Sequence, residues 1–399
     1  MSGNRSVQAT QGYREWRHTS VMVAGTPYVL ASKPGVFAHG QSDPAALLLA
    51  ERVRISVGDT VVQMNCRNGL FGAVASQAAG RVILTDRNIL GVAAATRTLA
   101  ANGVTNAEVL LGHGAHALPH GLEADVVAIR IPQEKIALLQ LLSDAFAVLK
   151  VGGHCYLAGA TNEGAKAAAN TAQAMFGNGG VLAVDSGHRI VMATKGSTTV
   201  AQPEAVANPY LARDAFHEVN AVLHGQTHAL FTRPGVFSWD HLDEATSILA
   251  DAMVVNAGES VLDLGCGGGA LGVTAAALSG SGRVCMVDAD VEAVRSAVRT
   301  SDAAGVTHYS ALTSDIGDAI LDQRFDVVVT NPPFHVGKAT DLNVPMQFIR
   351  DAYDVLVAAG RLYLVANRTL PYERAIFQLF GNIQTVHDGR RFKVLSAVR

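Results

Sequence analysis

The chain has 399 residues, of which 49% are hydrophobic and 16% are charged, so it has enough apolar material for two buried cores. A formal net charge of −3 excludes a strong overall attraction to nucleic acid, and any such partner must be bound by local patches. The four cysteines form no C-x-x-C pair, which favours a reducing cytoplasm and indicates no metal site. The sequence shows neither a signal peptide at its start nor an apolar run long enough to span a membrane, so we expect a soluble cytoplasmic protein.

The chain contains a tandem repeat at an offset of about 200 residues. The tetrapeptide Pro-Gly-Val-Phe occurs at 34–37 and again at 234–237. Ordered agreement over several segments predicts two homologous halves, 1–200 and 201–399, joined by a small, polar linker at 195–203. The other matching pairs are 61–66 with 261–266, 82–86 with 284–288, and 125–127 with 326–328.

Both halves alternate short apolar runs with alanine-rich helical stretches. This pattern predicts βαβ units and an α/β fold with a mostly parallel sheet in each half. In the second half, strands are predicted near 260–264, 283–288, 325–330, 360–366 and 391–398, and helices near 241–254, 268–278, 289–304 and 345–358.

A glycine-rich turn joins the first of these strands to its helix, with Gly265, Gly267 and Gly269. Glycine allows a positive φ and lets a ligand approach the backbone closely, although nicotinamide-binding folds use such a turn too. The next strand ends at Asp288, where an acidic residue is suited to binding ribose hydroxyls. A further carboxylate, Asp315, precedes the strand predicted at 325–330 and can accept a hydrogen bond from an adenine amine.

The strand predicted at 325–330 runs directly into the tetrapeptide Asn-Pro-Pro-Phe. The side-chain oxygen of Asn331 and the carbonyl oxygen of Pro332 can accept the two protons of one amine, which aims its lone pair at an electrophile. Pro332 and Pro333 stiffen the loop, and Phe334 offers a flat face on which a base can stack. Without the glycine-rich turn and the acids, the same residues would indicate only a tight turn after a strand.

The segment 263–269 (Asp-Leu-Gly-Cys-Gly-Gly-Gly) together with 331–334 resembles class I S-adenosylmethionine-dependent methyltransferases that act on planar exocyclic amines. Longer segments resemble the bacterial ribosomal RNA guanine-N2 methyltransferases of the RsmC/RlmG type; they lie at 231–238, 331–337, 365–368 and 392–395. This resemblance implies two tandem Rossmann-like class I methyltransferase domains with seven-stranded sheets. It also implies S-adenosylmethionine as cofactor and guanine N2 in ribosomal RNA as acceptor, with small-subunit RNA preferred, naked or within a ribosomal subunit or assembly intermediate.

The resemblance assigns further residues to the site. His335 is expected to position the substrate, since the amine can lose its proton to solvent after methyl transfer. Lys338 is either near a phosphate or base edge or a solvated loop lysine. The residues implied to contact the cofactor are Asp263, Gly265, Cys266, Gly267, Gly269, Asp288, Ala289, Asp315, Ile316 and Asn331, and those implied to contact the base are Phe334, His335 and Lys338.

The first half keeps the same pattern of strands, turns and helices but lacks the residues that indicate methyl transfer. Gln63 replaces Asp263, Asn65 and Arg67 stand at the positions of Gly265 and Gly267, and the motif at 331–334 is represented by Arg130-Ile-Pro-Gln. The acid at the end of its second strand remains, as Asp86. The resemblance implies that this degenerate half supports folding and RNA recognition, and its candidates for phosphate contacts are Arg14, Arg17, Lys33, Arg52, Arg54, Arg67 and Arg97.

Other acceptors and another class of function remain open at this point. An adenine N6 amine and the side-chain amide of a protein glutamine also present two N–H donors on a planar group. A protein that binds the cofactor and assists ribosome assembly without turnover is the alternative that is not an enzyme.

Overall fold

Two seven-stranded sheets form the framework of the computed structural model, which describes residues 12–333 and 342–399. The first half contains, in chain order, β1 (Arg17–Val23), β2 (Thr26–Ser32), α1 (Pro44–Arg52), β3 (Thr60–Met64), α2 (Leu70–Ala75), β4 (Arg81–Asp86), α3 (Ile89–Ala101), β5 (Ala107–Leu111), β6 (Ala124–Arg130), α4 (Lys135–Val148), β7 (Leu149–Ala160), α5 (Ala165–Phe176), β8 (Gly180–Asp185) and β9 (His188–Thr194), and the short helix α6 (Pro203–Val206) follows in the connection to the second half.

The second half repeats this order of elements. It contains β10 (His217–Leu223), β11 (Gln226–Thr232), α7 (Glu244–Ala252), β12 (Val261–Leu264), α8 (Ala270–Ser279), β13 (Val284–Asp288), α9 (Val291–Ala303), β14 (Tyr309–Thr313), β15 (Phe325–Thr330), α10 (Asn343–Val355), β16 (Leu356–Asn367), α11 (Tyr372–Phe380), β17 (Gln384–Asp388) and β18 (Phe392–Val398).

The two sheets have the same topology, with strand orders β5-β4-β3-β6-β7-β9-β8 and β14-β13-β12-β15-β16-β18-β17. All neighbouring strands are parallel except those that pair with β9 and β18. The central strands are buried on both faces, as for Val261, Leu262, Val327 and Val328, because helices cover each side. The strand order reverses between β12 and β15, which places a ligand crevice at the carboxyl ends of these two strands.

The structure confirms the predicted α/β class and the seven-stranded sheets, and β12, β13, β15 and β18 begin within one residue of the predicted positions. Strands β14 and β17, helix α11 and the β10–β11 hairpin were not predicted from the sequence. Strands β14 and β17 are the two edge strands of the second sheet. Their residues are half-buried or exposed, so neither strand has a continuous apolar run. The proposed division at 200/201 falls in the connection between β9 and β10.

The two halves meet through a pair of equivalent backbone hydrogen bonds. Ile89 N donates to Ala289 O at 2.9 Å, and Val291 N donates to Arg87 O at 2.9 Å. The donors occupy the same position in the repeat, as do the acceptors, so the contact has local two-fold pseudosymmetry. An ion pair between Arg87 and Asp290 (2.6 Å) reinforces it. The amino-terminal ends of α3 and α9 therefore lie against each other at the carboxyl edges of both sheets.

The segment preceding β1 crosses to the second half. Tyr13 is 4% exposed and packs in the second-half core with residues such as Leu264 and Ile316. Arg14 hydrogen-bonds Asp351 at 2.9 Å and Asp318 at 2.8 Å. Arg14 therefore makes an interdomain contact, a role that differs from the phosphate contact for which the sequence made it a candidate. Within 12–333 and 342–399, no helix is long and apolar enough to cross a membrane.

Candidate active site

The glycine-rich turn after β12 has one position that is open and others that are packed. Gly265, Gly267 and Gly269 have positive φ angles of 82°, 50° and 83°. A Cβ atom on Gly269 would lie 2.9 Å from the Cα of Ala297, so glycine is required there for helix packing. A Cβ atom on Gly267 would meet no described atom within 4 Å. Gly267 therefore presents the face of the turn on which a ligand can lie.

Asp263 lies beneath this turn with one unsatisfied oxygen. Its Oδ2 accepts a hydrogen bond from Gly272 N at 2.9 Å, whereas its Oδ1 is buried with no hydrogen-bond partner in the described part of the chain. Burial, with a smaller contribution from Asp288, raises the pKa of this carboxyl group to about 7, although the Gly272 hydrogen bond opposes the shift. A buried acceptor without a donor is costly, so this oxygen is suited to a ligand that brings a donor or a positive charge.

Gln63, at the same position in the first half, has no such deficit. Its Oε1 accepts from Gly72 N at 2.9 Å, and its Nε2 donates to Cys66 O at 3.4 Å. Both ends of the Gln63 amide thus have a hydrogen-bond partner. Of these two equivalent residues, only Asp263 therefore has a buried side-chain oxygen without a donor among the described residues.

Asp288 closes the turn from the end of β13. Its Oδ2 accepts from Gly267 N and its Oδ1 from Asp290 N, both at 2.9 Å. Each carboxylate oxygen retains a second lone pair for a ligand hydroxyl. Burial and the nearby Asp290 raise the pKa of Asp288 to about 6, while these backbone donors and Arg87 lower it. Ala289, the next residue, uses its carbonyl in the contact between the halves.

The first half supplies two partners for Asp315. Tyr13 Oη donates to Asp315 Oδ1 at 2.7 Å, and Lys33 forms an ion pair with Oδ2. Lys33 is only 2% exposed, and its ammonium group lies 4.2 Å from the centre of the Tyr13 ring. Sequence reasoning treated Asp315 as a free acceptor and Lys33 as a candidate for phosphate. The structure instead joins them, and the neighbouring Ile316 is a 7% exposed core residue.

Asn331 is oriented by two residues that the sequence analysis did not identify. Its Nδ2 donates to Asp243 Oδ2 at 3.1 Å and to Thr246 Oγ1 at 3.0 Å. Because a carboxylate only accepts hydrogen bonds, Asp243 determines which end of the amide faces it. The side-chain oxygen of Asn331 is left as an acceptor with no partner among the described residues. A small cavity of about 60 Å³ separates Asn331 from Gly267 and its neighbours.

The corresponding place in the first half is filled by an ion-pair cluster. Arg130 stands where Asn331 stands in the second half, and its Nε donates to Asp43 Oδ2 at 2.7 Å. Arg130 also pairs with Glu163 at 2.8 Å. Asp43 is equivalent to Asp243 in the repeat, so the acid that orients the amide in one half neutralises a guanidinium in the other. A guanidinium has no acceptor atom, so Arg130 cannot accept the proton of an amine as Asn331 can.

Cys266 is a packing residue in the turn. It is 7% exposed, and burial together with Asp288 and Asp263 raises the pKa of its thiol well above the ordinary value. The thiol is therefore protonated and not nucleophilic. Cys66 is buried at the same place in the first half, which agrees with a shared packing role.

The described part of the predicted acceptor loop ends at Pro333. Pro332 is buried and Pro333 is exposed. Thr330 Oγ1 donates to Leu264 O at 2.7 Å and ties the end of β15 to the glycine-rich turn. Phe334, His335 and Lys338, which the sequence analysis assigned to the base, lie outside the described residues.

Comparison with known proteins gives matches over both halves. The family model described as "Methyltransferase small domain" matches residues 27–192 and 227–396. A ribosomal RNA small subunit methyltransferase C from Hahella chejuensis is 34% identical over 283 residues, which cover 71% of this chain and 80% of the relative. The protein of the same name from Shewanella pealeana is 31% identical over 289 residues, with 72% and 81% covered.

A solved structure resembles nearly the whole chain. The T. thermophilus 16S rRNA N2 methyltransferase RsmC in complex with AdoMet and guanosine superposes with a TM-score of 0.78 at 28% identity. The match covers 96% of this chain and 98% of the T. thermophilus chain. Taken with the family match in each half, these similarities establish that the chain belongs to the methyltransferase small domain family.

Proposed function

We propose that this protein is an S-adenosylmethionine-dependent enzyme that transfers a methyl group to the exocyclic N2 amine of a guanine in ribosomal RNA, with small-subunit RNA preferred. The observation that carries the proposal is the fixed amide of Asn331, whose NH2 group is held by Asp243 and whose oxygen is left to accept. The relatives named as small-subunit RNA methyltransferases support the choice of substrate.

The residues around the glycine-rich turn fit the proposed cofactor. The unsatisfied Oδ1 of Asp263 suits the ammonium group of the methionine moiety, and the open face at Gly267 admits a ligand to the backbone. The free lone pairs of Asp288 suit the ribose hydroxyls. S-Adenosylmethionine, when bound, supplies an electrophilic methyl group on a positively charged sulfur. We assign its adenine to the neighbourhood of Asp315, next to the Tyr13 side chain.

The chain's own contribution to the reaction is alignment. Asn331 Oδ1 and the Pro332 carbonyl each accept one proton of the N2 amine, so the nitrogen lone pair is held in one direction and positive charge developing on nitrogen is stabilised. No titratable base is required, because the methylated amine loses its proton to solvent. Phe334, His335 and Lys338 are proposed to stack on and position the base.

The proposed partner is ribosomal RNA within a ribosomal subunit or an assembly intermediate, and the proposed compartment is the cytoplasm. An adenine N6 amine or a glutamine amide would fit the same two acceptors, so the Asn331 geometry alone does not discriminate between them. The names of the relatives favour RNA and its guanine. An assembly factor without turnover is disfavoured by the retained acceptor geometry of Asn331 and the unsatisfied oxygen of Asp263.

The test is methyl transfer in vitro from S-adenosylmethionine to naked ribosomal RNA and to isolated small and large subunits, followed by nucleoside analysis of the product. We expect N2-methylguanosine, formed mainly with RNA of the small subunit. N6-methyladenosine or methylglutamine would overturn the choice of acceptor. Binding of the cofactor without transfer to any of these substrates would overturn the enzymatic function.

A further inference from the structure

The first half retains a cavity of about 730 Å³ at the place where the second half is proposed to bind its cofactor. Its walls come from the turn after β3, the end of β4, the loop before α4, and the loop at 235–241 of the second half. This volume lies within the range of about 300–1,000 Å³ that is typical of small-molecule sites. The degenerate half has therefore lost the catalytic amide but not the space for a ligand.

Arg67 gives this cavity a different chemistry from that of the second half. It occupies the position of Gly267 and keeps the left-handed backbone, with φ of 57°. Such a conformation is unfavourable for a residue with a side chain, and strain of this kind is concentrated at functional positions. A guanidinium at this turn disfavours a positively charged sulfonium and favours an anionic ligand.

The guanidinium of Arg67 makes no direct ion pair with any residue in 12–333 or 342–399. Its guanidinium lies 4.4 Å from the centre of the Phe37 ring, and its Nε is buried without an acceptor in the described ranges. The other arginine in the cavity wall, Arg87, pairs with Asp290. Nearby Arg130 is paired with Asp43 and Glu163, as described above. Arg67 is thus the arginine of this region that is available to a ligand.

The carboxylate that faces a ribose in the proposed cofactor site is preserved in this cavity. Asp86 accepts from Asn88 N and Arg67 N, both at 2.9 Å, which reproduces the two backbone contacts of Asp288. Its remaining lone pairs are directed away from these amides and can accept ligand hydroxyls. This part of the inference rests on the ribose-binding role proposed for Asp288.

The remaining wall offers contacts for a base. His113, which also lines the cavity, takes the place of Asp315 and makes no side-chain hydrogen bond to any described residue. Burial and the nearby Arg87 lower its pKa to about 3, so the imidazole is neutral and can both donate and accept. Phe237, from the second half, lines the same cavity and is 66% exposed, which leaves a ring face free for stacking.

We propose that this cavity binds one ribonucleotide, with the phosphate on Arg67, the ribose hydroxyls on Asp86 and the base between His113 and Phe237. The group recognised is a nucleoside 5′-monophosphate, which either a free mononucleotide or one residue of an RNA strand can present. Four acidic residues line the wall. Asp86 accepts hydroxyls, Asp290 is paired with Arg87, Asp240 lies 2.7 Å from His241 Nδ1, and Glu134 is exposed to solvent.

The experiment is calorimetric titration of the full chain with guanosine and adenosine 5′-monophosphates, with S-adenosylhomocysteine present in excess to occupy the proposed cofactor site. We expect one nucleotide per chain to bind in an Arg67-dependent way, and at least tenfold weaker Arg67-dependent binding of the corresponding nucleosides, which lack the phosphate. Arg67→Gly should weaken binding at least tenfold, whereas Arg67→Lys should restore part of it. Glycine suits the backbone at this position, so Arg67→Gly should fold, and its thermal unfolding checks this.

Arg81→Ala is the matched control, because Arg81 is exposed, lies outside the cavity wall and is not among the candidates for phosphate contacts. In a second arm, a small-subunit RNA fragment competes with the bound mononucleotide. Displacement that depends on Arg67 identifies the RNA strand as the source, and binding without displacement identifies a free nucleotide. The proposal is overturned if neither nucleotide nor RNA binds in an Arg67-dependent way, or if Arg67→Gly binds as tightly as the wild type.

Asn331→Ala separates this proposal from the proposed function. This variant lacks the amide acceptor in the second half but leaves the first-half cavity unaltered, so it should bind the mononucleotide with the wild-type affinity. A wild-type protein that binds the nucleotide but transfers no methyl group would contradict only the proposed function of the second half. One that transfers the methyl group but binds no nucleotide would contradict only the proposal for the first-half cavity.

Discussion

Asp243 Oδ2 accepts a hydrogen bond from Asn331 Nδ2 at 3.1 Å, although 88 residues separate the two along the chain. The same Asp243 oxygen accepts from the backbone N of Thr246 at 2.8 Å and so caps α7. One carboxylate therefore fixes both the start of a helix and the orientation of the proposed acceptor amide. Its equivalent in the first half, Asp43, also caps a helix, but it holds the guanidinium of Arg130.

Asn331→Ala should abolish most turnover while leaving cofactor binding intact. The amide oxygen is proposed to contact only the amine, and removing one hydrogen-bonding group that acts on developing charge costs about 10²–10³-fold in kcat in other enzymes. Single-turnover methyl transfer and calorimetry with S-adenosylhomocysteine provide the two measurements. Transfer at the wild-type rate would contradict the alignment mechanism.

Asp243→Asn should lower kcat by about tenfold with little change in the affinity for S-adenosylmethionine. Asparagine is also a good helix cap, so α7 should persist, but its amide no longer dictates the orientation of Asn331. Asp251→Asn removes an exposed carboxylate from the same helix, α7, and is the control. Equal effects of the two substitutions on kcat would show that orientation by Asp243 is not what matters.

The parts of the site that follow continuous apolar strands were predictable from sequence. The turn after β12 and the acid at the end of β13 sit where such strands end, and the repeat showed which half had kept them. Asp243 and Thr246 were not identified because no local motif marks them and they precede Asn331 by more than 80 residues. The recurrence of Asp43 as Asp243 was a usable signal.

The contacts between the two halves could not be predicted from the sequence, for a different reason. Lys33 looked like a surface cation, because its residue type is usually exposed and its partner is 282 residues away. Only the packing of one half against the other brings it to Asp315. Burial of a lysine at 2% exposure requires an opposite charge, and the folded chain supplies it from the other half.

Lys33→Met should weaken binding of S-adenosylmethionine by about tenfold or more, since an uncompensated Asp315 next to Tyr13 would no longer be held at its present position. The loss should appear in KM and in the dissociation constant of S-adenosylhomocysteine, with a smaller effect on kcat. Lys166→Met, at an exposed position of α5, is the matched control. Unchanged affinity in Lys33→Met would exclude a contribution of the Lys33–Asp315 ion pair to cofactor binding.

Cofactor affinity should depend on pH through Asp263. Burial raises the pKa of this carboxyl group to about 7 in the free protein. A cofactor ammonium group at its unsatisfied Oδ1 would favour the ionised form and lower that pKa. Below pH 7, binding must then expel a proton, and affinity should fall by up to about tenfold per pH unit. Above about pH 8, where the carboxylate is already ionised, affinity should reach a plateau.

The raised pKa of Asp263 also makes the stability of the folded protein depend on pH in the absence of cofactor. Because the pKa in the folded state lies above the unfolded value of about 4, Asp263 reduces stability as the pH rises from about 4 to about 7. Asp263→Asn removes both effects: its affinity for S-adenosylhomocysteine should be lower and should lack the step near pH 7. Asp288 titrates near pH 6 and remains in this variant, so it provides an internal reference. If the step near pH 7 persisted in Asp263→Asn, another group would have to carry the proton that binding releases.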